Sequence, residues 1–298
     1  MSTLPSVRID LHTHSRVSDG TDSPAELVAA AAAAGLDVVA LTDHDTSAGW
    51  AAAAQAARAS GITLVPGMEI STQHDGHSVH LLAYLPDPTH PGLLAELERI
   101  LAGRSRRVPG MVERLQRLGI AITEADVFAQ STEAAATGRP HVADALVAIG
   151  AVRNRDEAFD RYLAAGRPAF ADRYATALEK AIGLVADAGG VSVIAHPWGR
   201  GRRRELSEAT LAALVDLGLA GIEVDHQDHG PAERDELRAI ARNLGLVVTG
   251  SSDYHGTGKT GHALGVNTTD PAELERLLDR AAVAAARAGR RTPEVVAP

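Results

Sequence analysis

The sequence predicts an α/β protein in which short strands form a barrel with helices outside it, interrupted by an all-helical insertion. Strand-like runs alternate with helix-like stretches in the first third of the 298 residues and again after residue 167. Such alternation is typical of a parallel sheet covered by helices. Between these parts, residues 91–167 contain helix-like stretches without a convincing strand. Histidines and carboxylates follow several strands directly, which is where α/β barrels carry their active sites.

The predicted strands are short and mostly aliphatic. They comprise residues 7–13, 37–41, 62–65, 77–84, 191–195, 221–225 and 246–249. About seven strands in this order favour a barrel over an open sheet.

Helix signals separate the strands. The quartet Ser23-Pro24-Ala25-Glu26 is a capping box with proline at the first helical position, and Gly35 ends that helix. Later barrel helices are predicted at residues 48–60, 175–188, 207–217, 231–244 and 271–288. Insertion helices are predicted at residues 91–102, 108–118, 124–128, 141–149 and 155–164. We therefore expect a barrel domain of residues 1–90 and 168–298, and a substrate-capping helical insertion of residues 91–167.

Composition excludes several classes of site. The chain has no cysteine, which excludes disulfides, thiolate metal sites and cysteine nucleophiles. It has no apolar signal core and no run of about 18 apolar residues, which predicts a soluble, cytoplasmic protein without a membrane partner. A net charge of −9 argues against long duplex nucleic acid as a partner. Arginine clusters at residues 104–107 and 200–204 either bind a short anion or form solvated surface.

The segment Asp10-Leu11-His12-Thr13-His14 carries the sharpest chemical signal. Side chains alternate along a strand, so Asp10, His12 and His14 project on one face. Burying three polar groups is costly unless they are hydrogen-bonded or bind a metal. Hydrogen-bonded core histidines are the alternative, but a His-x-His pair at a strand end favours a metal.

Similar residues follow other strands. They are His44 after the second strand, Glu69 after the third, His196 after the strand at 191–195, and Asp253 with His255 after the last. His80 lies inside its strand, where alternation still allows it to face the interior. Imidazole and carboxylate without thiolate suit Mn, Fe or Zn. So many ligands exceed the needs of one ion, which predicts two or three divalent ions with a bridging carboxylate.

Nine residues resemble the metal-binding positions of the PHP (polymerase and histidinol phosphatase) superfamily. They are His12, His14, Asp19, His44, Glu69, His80, His196, Asp253 and His255. The resemblance extends from Arg8 to Gly265 and implies a distorted (β/α)7 barrel with a trinuclear metal centre. It implies one ion held by His12, His14, Glu69 and Asp253, a second by Glu69, His80 and His196, and a third by Asp19, His44 and His255.

The insertion and the segment Gly138-Arg139-Pro140-His141 resemble the TrpH-like branch of this superfamily. Members of that branch are 3′,5′-bisphosphate nucleotidases and 5′-to-3′ exonucleases of short oligoribonucleotides, whereas histidinol phosphatases lack the segment. We expect Arg139, His141 and Arg200 to bind substrate. The branch usually reads His-Pro-Gly-Arg, whereas here His196-Pro197-Trp198-Gly199-Arg200 has one extra residue before Arg200.

Arg139 also has a physical rationale. An arginine at a helix N-terminus opposes the helix dipole, so a stabilising role explains it poorly. A guanidinium group binds phosphate through two parallel hydrogen bonds, which explains the residue better. The alternative is an ordinary surface arginine.

The expected reaction is direct hydrolysis of a phosphate ester by a hydroxide that bridges the metal ions. Catalysis is assigned to Glu69, His196 and Asp253. The ions and Arg139 offset charge on the phosphoryl oxygens. A protonated His196 or an acidic residue would protonate the leaving oxygen, although His196 cannot do so while it binds a metal.

Other polar residues are weaker candidates. Glu223, Asp225, His226 and His229 either line the pocket rim or form a surface loop. Asp10, Asp43 and Asp45 are interpreted as orienting the ligand imidazoles. We interpret His74, His77, His90 and His262 as ordinary loop or surface residues.

Three functions remain open from the sequence. The first is a phosphoesterase that acts on small nucleotides or short oligonucleotides, which Arg139 and the insertion favour. The second is a histidinol phosphatase or another small-molecule phosphatase. The third is a metal-binding regulatory module without turnover, which the complete ligand set disfavours.

Overall fold

The computed structural model describes residues 7–298, apart from the side chain of Arg200. Within these residues the sheet confirms the predicted barrel. Its neighbouring strands are β1 (Ile9–Asp10), β2 (Val38–Leu41), β3 (Thr63–His74), β4 (His77–Tyr84), β6 (Val191–Ala195), β7 (Gly221–Asp225) and β8 (Val247–Gly250), with the short β5 (Thr176–Ala177) beside β3. The barrel is nearly closed, because the segments after β1 and β8 meet where the His14 amide donates to the Tyr254 carbonyl at 2.8 Å.

One strand runs against the others, which the predicted parallel order did not include. β4 pairs antiparallel with both β3 and β6. The cause is the two-residue turn Asp75-Gly76, where both residues have positive φ (47° and 77°), as tight hairpins require.

β3 is also longer than the predicted strand at residues 62–65. Pro66 and Gly67 are residue types that usually interrupt a strand, but here the Pro66 carbonyl accepts a hydrogen bond from the Leu85 amide at 2.9 Å. At Gly67 a Cβ would lie 3.2 Å from the Tyr84 ring, so glycine leaves the room that this ring needs. The strand therefore continues through Glu69 to His74.

Helices cover the outside of the barrel. They are α1 (Pro24–Ala33), α2 (Trp50–Ser60), α8 (Leu178–Asp187), α9 (Glu208–Asp216), α10 (Pro231–Leu244) and α11 (Pro271–Ala288). The capping box predicted at Ser23 is present, with Ser23 and Glu26 bonding each other's backbone amides. Aliphatic side chains fill the space between sheet and helices and the barrel interior, where Tyr84 is fully buried. No helix of residues 7–298 has the length and apolar character needed to cross a membrane.

The chain between β4 and β5 is helical, as predicted. Its helices are α3 (Pro91–Arg106), α4 (Val108–Arg117), α5 (Glu124–Phe128), α6 (Arg139–Ala148) and α7 (Arg155–Ala158), which continues as the π-helical turn Phe159–Leu163. Apolar residues between Val108 and Ala169 form a core of their own, whereas Leu93, Leu97 and Ile100 of α3 pack on the barrel. The domain boundaries at residues 90 and 167 stay a prediction.

Candidate metal centre

The nine predicted ligands lie at one edge of the barrel. Most follow the carboxyl ends of parallel strands, where α/β barrels carry their sites. His80 reaches the same edge because β4 runs the other way, so that His80 pairs with Ala195, the last residue of β6. The antiparallel strand thus explains why one candidate lies inside its strand instead of after it.

The first group of donor atoms joins His12, His14, Glu69 and Asp253. The Nε2 atoms of the two histidines lie 3.0 Å apart. They lie 3.4 and 3.2 Å from Oε2 of Glu69, and 3.6 and 3.5 Å from Oδ1 of Asp253. Ligand atoms about 2.1 Å from one ion are about 3.0 Å apart in octahedral and about 3.4 Å apart in tetrahedral geometry. The atoms of His12, His14 and Asp253 therefore have the spacing of one coordination shell, with Oε2 of Glu69 beside the two histidines.

The second group uses the other oxygen of Glu69. Its Oε1 lies 2.7 Å from Nδ1 of His80 and 3.4 Å from Nε2 of His196. Because each carboxylate oxygen belongs to a different group, Glu69 has the position of a ligand that bridges two ions.

The third group surrounds Asp19. Its Oδ2 lies 3.7 Å from Nε2 of His44, and its Oδ1 lies 3.4 Å from Nε2 of His255. Nδ1 of His14 also lies 3.7 Å from Oδ1. His14 therefore faces two groups with its two ring nitrogens, which the ligand assignment from the resemblance did not include.

The carboxylates of the site are held in the ionised form. Burial raises the pKa of Glu69, but the imidazoles of His80 and His44 hold it well below its usual range. Burial likewise raises the pKa of Asp253, but Lys259 and His12 hold it well below the usual value. Ionised carboxylate is the form that binds a cation.

The histidines divide into two sets. Burial holds the pKa of His44 well below its usual value and lowers that of His196 to about 3, so both imidazoles are neutral and ready to bind a metal. At His14 burial also lowers the pKa, but hydrogen bonds to Asp253 and Glu69 raise it to about 9. The carboxylates thus hold a proton at His14, and a divalent cation would supply the same positive charge by displacing that proton.

Two ligand positions stand on strained backbone. His196 has a φ of 31° and Asp253 a φ of 54°. Residues other than glycine rarely adopt positive φ, and such strain persists where the surrounding structure enforces it, often at functional sites.

Glu223 on β7 is a residue whose role the sequence left open. Its Oε1 accepts a hydrogen bond from Nδ1 of His12 at 3.1 Å, and its Oε2 accepts one from the His196 amide at 2.8 Å. Burial raises its pKa, but His12 and His226 lower it to about 2, so the carboxylate is ionised. By accepting from Nδ1 it leaves Nε2 of His12 as the ligand atom. The sequence feature that could have indicated this role is a carboxylate within an otherwise aliphatic, buried strand.

Replacing Glu223 by Gln is expected to weaken metal binding by about 10- to 100-fold, because the amide no longer holds the His12 ring with a charged acceptor. Metal affinity is measured by competition with a chelator. Thermal unfolding of the metal-free variant separates this effect from lost stability. Unchanged affinity would show that Glu223 only stabilises the fold.

The sequence suggested that Asp10, Asp43 and Asp45 orient the candidate ligand imidazoles. Among the residues that the structure describes, their side chains form no hydrogen bond with those rings. They are buried and hold loop segments instead. Their acceptor bonds are from the amide of Ser252 to Asp10 (3.0 Å), from the amide and hydroxyl of Ser15 to Asp43 (2.8 and 2.6 Å), and from the amide and hydroxyl of Ser71 to Asp45 (2.6 and 2.8 Å). These carboxylates position the backbone that carries the ligands.

Histidines interpreted as rim, loop or surface residues are buried behind the ligands. His226 accepts the Asp228 amide at Nδ1 (3.0 Å), so its Nε2 carries the proton and donates to Oδ2 of Asp253 at 3.3 Å. His262, predicted for the surface, is buried and bonds the Ser252 carbonyl at 2.6 Å. His229 bonds the Trp198 amide at 3.2 Å, next to the His196 turn. All three therefore support the ligand-bearing loops.

A cavity of about 830 Å³ opens onto these groups, a volume that suits a small-molecule substrate. From the chain between β4 and β5 its lining includes Arg107, Arg139, Phe159, Phe170 and Arg173. Arg139 is thus beside the candidate metal site, and its contact with substrate stays a prediction.

The other two residues predicted to bind substrate are His141 and Arg200, and His141 is not among the residues that line this cavity. His141 lines a neighbouring cleft with Asp144 and Arg155, and its Nδ1 accepts from the Gly138 amide at 2.9 Å, which caps α6. Its contact with substrate stays a prediction. The side chain of Arg200 lies outside the described part of the chain.

Comparison with known proteins gives consistent matches. A family model described as the PHP domain matches residues 10–97. The chain is 36% identical over 257 residues to the 3′,5′-nucleoside bisphosphate phosphatase of Chromobacterium violaceum, a match that covers 86% of this chain and 90% of that protein. It is 36% identical over 248 residues to the 5′-3′ exoribonuclease of Haemophilus influenzae, covering 83% and 90%. A crystal structure from Bifidobacterium adolescentis, assigned as a metal-dependent phosphoesterase, has a TM-score of 0.88 at 40% identity and covers 93% of this chain and 97% of its own.

Proposed function

The chain belongs to the PHP domain family and is a phosphoesterase, and from this premise we propose that it hydrolyses phosphate esters of small nucleotides. We infer that its substrates are 3′,5′-bisphosphate nucleotides or the 5′ ends of short oligoribonucleotides. A module without turnover, which the sequence left open, does not agree with relatives that are named as enzymes. A cytoplasmic location stays a prediction.

The observation that carries the proposal is the position of Glu69. Its two oxygens each face a separate group of imidazole and carboxylate atoms, at the end of a cavity lined by arginines. The nitrogen and oxygen donors suit Mn, Fe or Zn, and the three donor groups can hold two or three ions.

When bound, divalent ions polarise the phosphoryl group and make a nucleophile available at neutral pH. The chain's own residues prepare this chemistry. Glu223 fixes the His12 ring through Nδ1, and His226 donates to the outer oxygen of Asp253. Arg139 lies where a guanidinium group can offset charge on a phosphate, while Phe159 and Phe170 line the same wall of the cavity. These groups orient the substrate and limit the access of bulk water.

Chelation is expected to abolish turnover, and Mn, Fe or Zn is expected to restore it, because the donor atoms by themselves provide no nucleophile. Hydrolysis of p-nitrophenyl phosphate measures this, with elemental analysis of the treated protein. Full activity of protein shown to be free of metal would disprove the mechanism.

The substrate class is tested by measuring the products of hydrolysis of a 3′,5′-bisphosphate nucleotide, a 5′-phosphorylated short oligoribonucleotide and histidinol phosphate. We expect the highest kcat/KM for a nucleotide substrate. A preference for histidinol phosphate would support the small-molecule phosphatase instead.

A further inference from the structure

Three arginines from separate segments of the chain between β4 and β5 line the cavity beside the candidate metal site. Arg107 lies between α3 and α4, Arg139 is the first residue of α6, and Arg173 precedes β5. These segments are distant in the sequence, so their convergence is a product of the fold. Neither helical periodicity nor a run of charged residues in the sequence predicts that these three side chains lie on one wall of the cavity.

Arg107 is buried without a counterion in the described part of the chain. Its exposed fraction is 8%, its Nη1 donates to the Ala171 carbonyl at 3.4 Å, and its Nε has no hydrogen-bond partner in the described residues. Across residues 7–298 no carboxylate lies within 4 Å of its guanidinium group. A buried charge of this kind is costly unless something pairs with it. By contrast, the equally buried Arg104 pairs with Asp45 at 2.8 Å.

Arg173 is partly buried, less completely than Arg107. Its Nη1 donates to the Tyr174 carbonyl at 3.1 Å, and among the described residues it forms no ion pair. Burial together with the charge of Arg104 lowers its pKa to about 9, while Asp45 and Glu69 act in the opposite direction. Burial and the charges of Arg139 and Arg173 lower the pKa of Arg107 to about 8. Like charges therefore face one another across this wall of the cavity.

Aromatic rings flank the third arginine. The guanidinium carbon of Arg139 lies 5.7 Å from the ring centre of Phe159 and 5.4 Å from that of Phe170. Cation–π contacts of this length orient a guanidinium group without neutralising its charge. The two rings therefore hold the positive charge of Arg139 at the cavity wall.

We propose that Arg107, Arg139 and Arg173 together form an anion subsite for the substrate phosphate that is not hydrolysed. This inference rests on the proposed function. Arg107 and Arg173 form no ion pair with Glu69, Asp19 or Asp253 among the described residues, so more than 4 Å separates their guanidinium groups from these carboxylates. The ligand class is a terminal phosphate monoester of a nucleotide, since guanidinium groups match its oxygens in charge and geometry.

The test compares kcat/KM for adenosine 3′,5′-bisphosphate with that for the adenosine monophosphate, 3′ or 5′, that keeps only the phosphate the enzyme hydrolyses. In Arg107→Gln and Arg173→Gln the value for the bisphosphate is expected to fall by roughly 10- to 100-fold, and the value for the monophosphate by at least ten-fold less. Arg106→Gln, at an exposed neighbour, is the matched control and keeps the wild-type ratio. Equal losses on both substrates at unchanged metal content would overturn the proposal, as would no loss on either.

A second measurement does not depend on turnover. Inorganic sulfate is titrated while thermal unfolding is followed, and it is expected to raise the Tm of wild type and of Arg106→Gln more than that of Arg107→Gln or Arg173→Gln. If wild type shows no preference for the bisphosphate but this difference is present, the nucleotide substrate is wrong and the anion subsite stands. If sulfate raises the Tm of all variants equally, the subsite is wrong.

Discussion

Replacing Glu69 by Gln is expected to lower kcat by at least about 100-fold and to reduce the bound metal. Glu69 lies at the contact of two donor groups, with Oε2 facing His12 and His14 and Oε1 facing His80. The amide nitrogen of Gln has no free electron pair for a metal, so one of the two groups loses its carboxylate ligand. The bridge also loses its charge. Activity on p-nitrophenyl phosphate and elemental analysis measure the two effects.

A matched control separates this effect from lost stability. Glu96 is also buried and ionised, since Lys180 and Tyr174 outweigh burial and lower its pKa to about 2, but it lies on α3 away from the donor groups. Glu96→Gln is expected to lower the Tm while metal content stays the same. Wild-type metal content and activity in Glu69→Gln would contradict its role as a bridge.

Replacing Arg139 by Ala is expected to lower kcat/KM for a 3′,5′-bisphosphate nucleotide by about 30- to 900-fold, which corresponds to about 2–4 kcal/mol of transition-state binding. The residue lies in the wall of the cavity that opens onto the donor groups. For a simple monoester such as p-nitrophenyl phosphate the loss is expected to be much smaller. Steady-state kinetics on both substrates, together with metal analysis, measure the difference.

Arg153→Ala is the matched control for this variant. Arg153 also belongs to the insertion, but its side chain is 86% exposed and pairs with Glu157 on the surface. It is expected to change neither substrate's kcat/KM. Equal losses on both substrates in Arg139→Ala would place its contact at the reacting phosphoryl group. No loss would return Arg139 to a surface role and remove a main reason for preferring nucleotides.

Local signals were sufficient for most elements of the fold. The capping box at Ser23 and the helix Glu124–Phe128 were both predicted and are both present, because such elements depend on a few neighbouring residues. The course of β3 and β4 was not predicted, because Pro66 and Gly67 break the local pattern of a strand. Their place in the sheet depends on pairing with Leu85 and Tyr84, which lie elsewhere in the chain.

The sequence by itself indicated most residues of the candidate metal site, because histidines and carboxylates at successive strand ends are costly to bury together unless they bind a cation. Asp19 was assigned only by the resemblance to the PHP superfamily. The tertiary structure decided what each one does there. Glu223 is 211 residues from His12 in the chain, and only the closed barrel brings its carboxylate to Nδ1. The same holds for Arg107 and Arg173, whose side chains line one cavity although they are 66 residues apart in the chain. The type of a residue determines what its side chain can bind. Which atoms it contacts depends on how the fold places segments that are remote in the chain.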